Sequence, residues 1–474
     1  MQIMFISAEV DPFAKTGGLG DVAGSLPKAL KQMGHDVRVV MPAYAAIERG
    51  EFAGVQPMEG SLGVPIRNKV LPAGVFESRL PNSDVPVYFV GELNLFNRER
   101  VYGYDDDAYR FAFFSRAAFE LMHALEWYPE ILHANDWHAC PAIFWLKTAG
   151  QADPRLRHIK ALLTIHNLGH QGTVGWDITN YLSIQTHSLV EESYGTINLM
   201  ARGIYHADAI NTVSPTYARE IMTAEGGWGL DGLLRHRSNR VFGIVNGIDI
   251  EEWNPATDDR LPHHFDAYSA DKRIAVRHAL QDFLGLPRWD NVPLVALISR
   301  LDYQKGLDIT GEVVWRLMEK WAGEAQFVVL GTGAAEYEEM FRQLQNQYGH
   351  KMRAILKYNA GLAPLIYGGS DIFLMPSRFE PCGLSQILSM RYGCLPVVRA
   401  TGGLVDTVDE GETGFKFYDY SVDAFWDALA RAIYVYNTDK NRWNWMQHTA
   451  MMRNFSWDRS ARTYVDLYQF LVEN

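Results

Sequence analysis

Within the first forty residues, apolar and polar positions sort into a short apolar run, a glycine-rich stretch and an apolar stripe of helical period. Residues 3–6 read as a buried strand, and Gly17, Gly18 and Gly20 read as a turn. Leu19, Val22, Leu26, Leu30 and Met33 recur at steps of three and four and predict one face of a helix. A second strand is expected at 37–41, and further buried runs stand at 85–90, 131–133, 161–165 and 209–213. Buried strands alternating with helix-length segments predict a mostly parallel sheet covered by helices.

The alternation restarts after residue 290, with apolar runs at 292–298, 326–330, 353–356, 372–375 and 395–398. The expected fold class is therefore α/β, with two doubly wound Rossmann-like domains. Between the two series lies Val245-Asn246-Gly247-Ile248-Asp249-Ile250-Glu251-Glu252-Trp253-Asn254-Pro255, a turn-rich stretch that reads as a hinge. Residues 1–250 and 251–456 are the expected domains. From Trp457 onward, Trp457, Ala461, Tyr464, Leu467, Tyr468 and Leu471 share a helical face that has to be buried somewhere.

Composition narrows the class. The 474 residues are 47% apolar and 21% charged, as in a folded globular enzyme. A net charge of −12 argues against a general attraction for nucleic acid or an anionic membrane, so an anionic substrate needs local cations. No apolar run reaches the roughly 18 residues of a membrane span. The N-terminus meets Glu9 and Asp11 without a basic region, unlike a secretory signal. Three cysteines, Cys140, Cys382 and Cys394, are too few for a disulfide framework and fit a reducing, cytoplasmic setting.

The candidate chemistry sits after the expected strands, where doubly wound folds bind ligands. Lys15-Thr16-Gly17-Gly18-Leu19-Gly20-Asp21 opens the first helix, where glycines would let backbone N–H groups approach an anion and Lys15 would add charge; a plain tight turn is the other reading. Asn135-Asp136-Trp137-His138 and Thr164-Ile165-His166-Asn167 also follow strands, as polar groups of a site or as buried structural ones. Neither has zinc-ligand spacing with a third partner. In the second half, Arg300 and Lys305 stand five residues apart in a loop able to clamp a pyrophosphate, or are two solvated cations. Gly331 and Gly402-Gly403 mark further turns at the same edge. In Arg378-Phe379-Glu380-Pro381-Cys382-Gly383-Leu384-Ser385, the N–H groups of Gly383 and Leu384 would face a phosphate. Glu380 would accept bonds from sugar hydroxyls, or would merely cap a helix. Cys382, at that helix start, is expected to be a reactive thiol.

Taken in order, Lys15-Thr16-Gly17-Gly18-Leu19, Asp136-Trp137-His138, His166-Asn167-Leu168, Val213-Ser214-Pro215-Thr216-Tyr217, Asn246-Gly247-Ile248-Asp249, Gln304-Lys305-Gly306 and Arg378 to Leu384 resemble the bacterial and plant glycogen/starch synthases along essentially the whole chain. The resemblance implies a GT-B glycosyltransferase with two domains facing a cleft, and a final helix, 457–474, crossing back to the first domain. It implies transfer of glucose from ADP-glucose to an α-1,4-glucan such as glycogen, starch or maltooligosaccharides, with retention and with no metal or other cofactor. Nucleic acid and membrane are not implied partners. UDP-glucose as donor, a small acceptor, or a silent glucan-binding homologue are the alternatives.

By the same resemblance, Arg300 and Lys305 hold the diphosphate, with Lys15 and Gly18 approaching it. Glu380 contacts donor-sugar hydroxyls, Tyr358 packs near the adenine, and Asp136 and His166 line the glucose and acceptor site. Asn246, Gly331, Cys382, Gly383, Leu384, Ser385, Gly402 and Gly403 complete the implied substrate contacts. Asn135, Gly169-His170 and Ser385 depart from the commoner family pattern, and Leu388 stands where many retaining enzymes of this fold carry a second Glu.

Overall fold

The computed structural model describes residues 1–184 and 195–474. They form two compact units, Met1–Gly247 with Trp457–Asn474, and Ile248–Ser456.

The first unit contains β1 (Gln2–Ile6), β2 (Asp36–Pro42), β3 (Gln56–Pro57), β4 (Leu62–Ile66), β5 (Lys69–Arg79) and β6 (Pro86–Gly91). It continues with β7 (Ile131–Asn135), β8 (Lys160–Ile165), β9 (Thr173–Gly175), β10 (Thr196–Asn198), β11 (Ala209–Thr212) and β12 (Val241–Gly243). Ten of these make one sheet in the order β12-β11-β8-β7-β1-β2-β6-β5-β3, with β4 paired to β5, while β9 and β10 pair separately. The strands from β12 to β6 run parallel, and β3, β4 and β5 add an antiparallel edge. Chain order reverses between β1 and β7, so the loops leaving these two neighbours diverge and open a crevice at their C-terminal ends.

The helix Gly18–Gln32 follows β1 and buries Leu19, Val22, Leu26 and Leu30, the face that the periodicity marks. Against it packs the helix Trp457–Glu473, which buries Trp457, Ala461, Tyr464, Leu467, Tyr468 and Leu471. Two of its tyrosines reach polar groups inside the sheet. Tyr468 Oη lies 2.7 Å from His133 Nδ1, and Asn211 Nδ2 donates to Tyr464 Oη at 2.9 Å.

The second unit has six parallel strands, β13 (Leu294–Ile298), β14 (Gln326–Leu330), β15 (Met352–Ile355), β16 (Ile372–Met375), β17 (Leu395–Arg399) and β18 (Phe415–Phe417). Their order, β15-β14-β13-β16-β17-β18, reverses between β13 and β16. The expected strand at 292–298 starts only at Leu294, because Pro293 before it has no N–H for a ladder. The run at 209–213 stops at Thr212, where the chain turns and Ser214 Oγ caps the next helix through the Tyr217 N–H. No described helix is long and apolar enough to cross a membrane.

Candidate active site

In the second unit the loops after β13 and β16 meet at the reversal of strand order. Arg378 N–H donates to the Gln304 carbonyl at 2.8 Å, and Gln304 Nε2 donates to the Phe379 carbonyl at 3.2 Å, which staples one loop to the other. On that staple Lys305 Nζ donates to Glu380 Oε2 at 2.7 Å, and Ser377 Oγ donates to the same oxygen at 2.9 Å. The two side chains are 16% and 8% exposed, so the contact is largely withdrawn from water. An ammonium has three donors, and Glu380 takes one of them.

The loop after β17 closes on the same place. Gly402 has φ +47, and a Cβ there would overlap the Glu380 carbonyl, so only glycine fits. Gly403 N–H then reaches that carbonyl at 3.0 Å. Gly383, with φ +73, leads into the helix Ser385–Arg391, and Gln386 Nε2 holds the turn by donating to the Cys382 and Gly383 carbonyls at 3.1 and 2.9 Å. Among the described residues no acceptor meets the N–H groups of Gly383 and Leu384. Gly331, at the end of β14, lies against the Ser299 carbonyl. Arg300 is mostly exposed and 3.3 Å from Asp302, and Tyr358, after β15, is 80% exposed. Ser385 bonds with the buried Tyr367.

In the first unit Glu9, just beyond β1, is buried, and its carboxylate organises the glycine-rich turn. Glu9 Oε2 accepts the Thr16 and Gly17 N–H groups at 2.5 and 3.0 Å, and Oε1 accepts the Tyr102 hydroxyl at 2.8 Å. Burial raises the Glu9 pKa against the pull of those two N–H groups. Lys15 Nζ pairs with Asp21 at 2.5 Å and with Asp11 at 3.8 Å, beside the Gly18 that starts the helix.

Across the strand-order reversal, Asp136 opens the helix after β7 with φ +56, a conformation that non-glycine residues rarely adopt. Its Oδ1 accepts the His166 and Asn167 N–H groups at 2.7 and 3.3 Å, and these bonds hold it there. Desolvation pushes Asp136 up to about 7 and His166 down to about 3, so the imidazole is neutral in this setting. His166 Nε2 lies 3.0 Å from Asn135 Oδ1. Asn246 is buried at the end of the first unit, and its Oδ1 has no partner among the described residues.

Two expectations need correction. In the turn Lys15-Thr16-Gly17-Gly18 the Thr16 and Gly17 N–H groups do not face an anion, because both already serve the internal Glu9 carboxylate, whereas among the described residues no acceptor meets the Gly18 N–H. Cys382 is buried, as are the other two cysteines, so it is not the accessible reactive thiol that a helix start suggested. Glu9 and Tyr102 were missed altogether. The available signal was a lone carboxylate at the C-terminal end of an apolar strand, directly before a glycine-rich turn.

Glu9 also yields a prediction. Glu9→Ala removes the acceptor that shapes the turn and is expected to lower kcat/KM at least about tenfold, since small displacements of positioned groups are costly. Glu9→Gln keeps one acceptor oxygen and should lose less. Turnover kinetics on both variants, beside their melting curves, decide this, and a fully active Glu9→Ala variant would remove Glu9 from the site.

Residues 2–236 match a family model described as the starch synthase catalytic domain, and residues 286–443 match glycosyl transferases group 1. The glycogen synthase of Anaeromyxobacter sp. is 44% identical, with 100% of both chains covered. That of Thermotoga maritima is 43% identical, with 99% of this chain and 98% of the relative covered. The catalytic domain of starch synthase IV from Arabidopsis thaliana, solved with ADP and acarbose, has a TM-score of 0.93 at 33% identity, with coverage of 100% and 99%. A sucrose-phosphate synthase from Thermosynechococcus elongatus, 17% identical with a TM-score of 0.61, shares the fold alone. With full-length relatives at this identity and two Rossmann-like units of the GT-B kind, the chain belongs to the glycogen/starch synthase family of glucosyltransferases.

Proposed function

We propose that this glucosyltransferase takes glucose from ADP-glucose and adds it, with retention, to the non-reducing end of an α-1,4-glucan. The observation that carries the reading is the Lys305–Glu380 contact at the strand-order reversal of the second unit. A fixed cation and a fixed carboxylate 2.7 Å apart offer adjacent anchors for a diphosphate and for sugar hydroxyls. The ADP and acarbose bound to the Arabidopsis relative support a nucleotide donor and a glucan-like acceptor for this chain.

In the proposed reaction the bond from the sugar C1 to the diphosphate oxygen breaks, and a bond from C1 to the acceptor hydroxyl oxygen forms on the same face. The acceptor proton passes to the departing diphosphate. Lys305, with Arg300, stabilises the charge growing on that leaving group, a role that preorganised donors perform well. Gly383 and Leu384 offer backbone N–H groups to the same charge, and Glu380 orients the sugar. We assign no metal to this chemistry. A content of only three cysteines supports a reducing, cytoplasmic setting.

The test is incorporation of labelled glucose into glycogen. ADP-glucose should support turnover well above UDP-glucose, and EDTA should leave the initial rate within about twofold, because no Lewis acid is required. A preference for UDP-glucose would overturn the donor assignment, and a loss with EDTA that magnesium restores would overturn the metal-free chemistry.

A further inference from the structure

The second unit also carries a cavity of about 150 Å³ at the opposite edge of its sheet from the donor loops. Arg273 and Arg277 line it from the helix Arg273–Leu284, Asp371 lines it just before β16, and Tyr436 and Lys440 line it from two successive helices. Asp371 precedes β16 whereas Glu380 follows it, so the length of the strand separates this cavity from the Lys305–Glu380 contact.

The charges on its wall do not balance locally. Asp371 is engaged by Arg277 and by the Leu294 N–H at 2.9 Å, and Asp290, also on the wall, lies 2.6 Å from His278 Nε2. Each carboxylate therefore already has a partner. Arg273 donates only to the carbonyls of Tyr367 and Ser370, and its Nε is buried with no acceptor among the described residues. The Nε of Arg277 is likewise unpaired. Lys440 stands at the exposed mouth with its ammonium 3.2 Å from the centre of the Tyr436 ring. Among the described residues no carboxylate forms an ion pair with Arg273 or Lys440.

Arg273, Arg277 and Lys440 on the wall outnumber Asp290 and Asp371 by one positive charge, and such a wall attracts an anion into the cavity. The volume equals about five water molecules, enough for one tetrahedral oxyanion and a small substituent. Guanidinium and ammonium groups together match a phosphate better than a single carboxylate, because it presents more oxygens and can carry a second charge. We propose that this cavity binds a small phosphate-bearing anion at a site separate from the donor loops. Occupancy would tie the start of the helix Arg273–Leu284 to the start of the helix Lys440–Met451. Burial lowers the pKa of Arg273 and of Lys440, and a bound anion would oppose that trend.

Calorimetric titration with inorganic phosphate, at fixed ionic strength and with excess ADP occupying the donor loops, tests the site. A parallel titration with glycerol 2-phosphate distinguishes a free phosphate from a phosphate ester as the source. Phosphate should bind in the millimolar range or tighter, and Lys440→Glu should weaken it at least about tenfold while Lys440→Arg retains it. Lys440 is exposed, so both variants should melt like the parent in phosphate-free buffer. The proposal fails if no binding is seen up to about 10 mM, or if both Lys440 variants bind phosphate as the parent does.

Discussion

Lys305→Ala is expected to lower kcat by about 10²- to 10³-fold, the usual consequence of removing one preorganised donor from developing charge. The contact with Glu380 sets the size of this loss. The carboxylate holds the ammonium at 2.7 Å in a setting largely withdrawn from water, so the cation is in place before substrate arrives and needs no reorganisation when charge grows. Ground-state binding should suffer less than kcat, because the diphosphate gains charge only as the glycosidic bond breaks. The substitution also leaves Glu380 buried with Ser377 as its side-chain partner, and breaking a buried pair can cost about 3 to 5 kcal/mol. A melting curve must therefore accompany the kinetics. Lys305→Arg keeps the charge and the pair but changes its reach, and it should show partial activity. A Lys305→Ala enzyme with raised KM and unchanged kcat would make Lys305 a binding group and end the leaving-group role.

Removing the helix Trp457–Glu473 is expected to leave the first unit insoluble or inactive. Five large side chains, Trp457, Tyr464, Leu467, Tyr468 and Leu471, are buried along its inner face. At about 1.5 to 3 kcal/mol each, their burial amounts to something on the order of 10 kcal/mol before the helix's own ordering cost. That is comparable to the whole stability of a typical domain. The loss would also strip one partner each from His133 and Asn211, both buried in the sheet. Tyr468→Phe separates the two effects, since it removes the hydroxyl while keeping the ring, and it should cost only about 1 to 3 kcal/mol. A truncated chain that stays soluble and turns over at the parent rate would show the helix to be dispensable.

Most of the parallel strands were legible because each is a short, mostly apolar run, as suits buried strands with helices on both faces. The antiparallel edge was not. β5 runs over eleven residues, yet only Ala73 and Val75 are buried, and the unburied Val70, Leu71, Pro72 and Phe76 around them are apolar too, so no alternation stands out. β12 and β18 are three residues each and carry no periodic signal. At the site, Lys305 and Glu380 could be named from their loops, but their pairing spans 75 positions and depends on strand order, which no local pattern encodes. Glu9 escaped for the opposite reason. It lies next to the motif it organises, but a single carboxylate after a strand looks like any other charged residue until its partners are seen.

The final helix completes the first unit only after the second has been made. The chain leaves at Gly247 and returns at Trp457, and the two points touch: a Cβ on Gly247 would stand 2.8 Å from the Trp457 Cα. Ser460 Oγ donates to the Val245 carbonyl at 2.6 Å just beyond. At a translation rate of about 5 to 20 residues per second, the sheet of the first unit emerges from the ribosome and waits roughly ten to forty seconds for the helix that covers His133 and Asn211. The intervening unit is one continuous segment and can finish folding within that interval. The first part of the protein to be synthesised is thus the last to be sealed, and until then the apolar groove that receives the helix stands open to water.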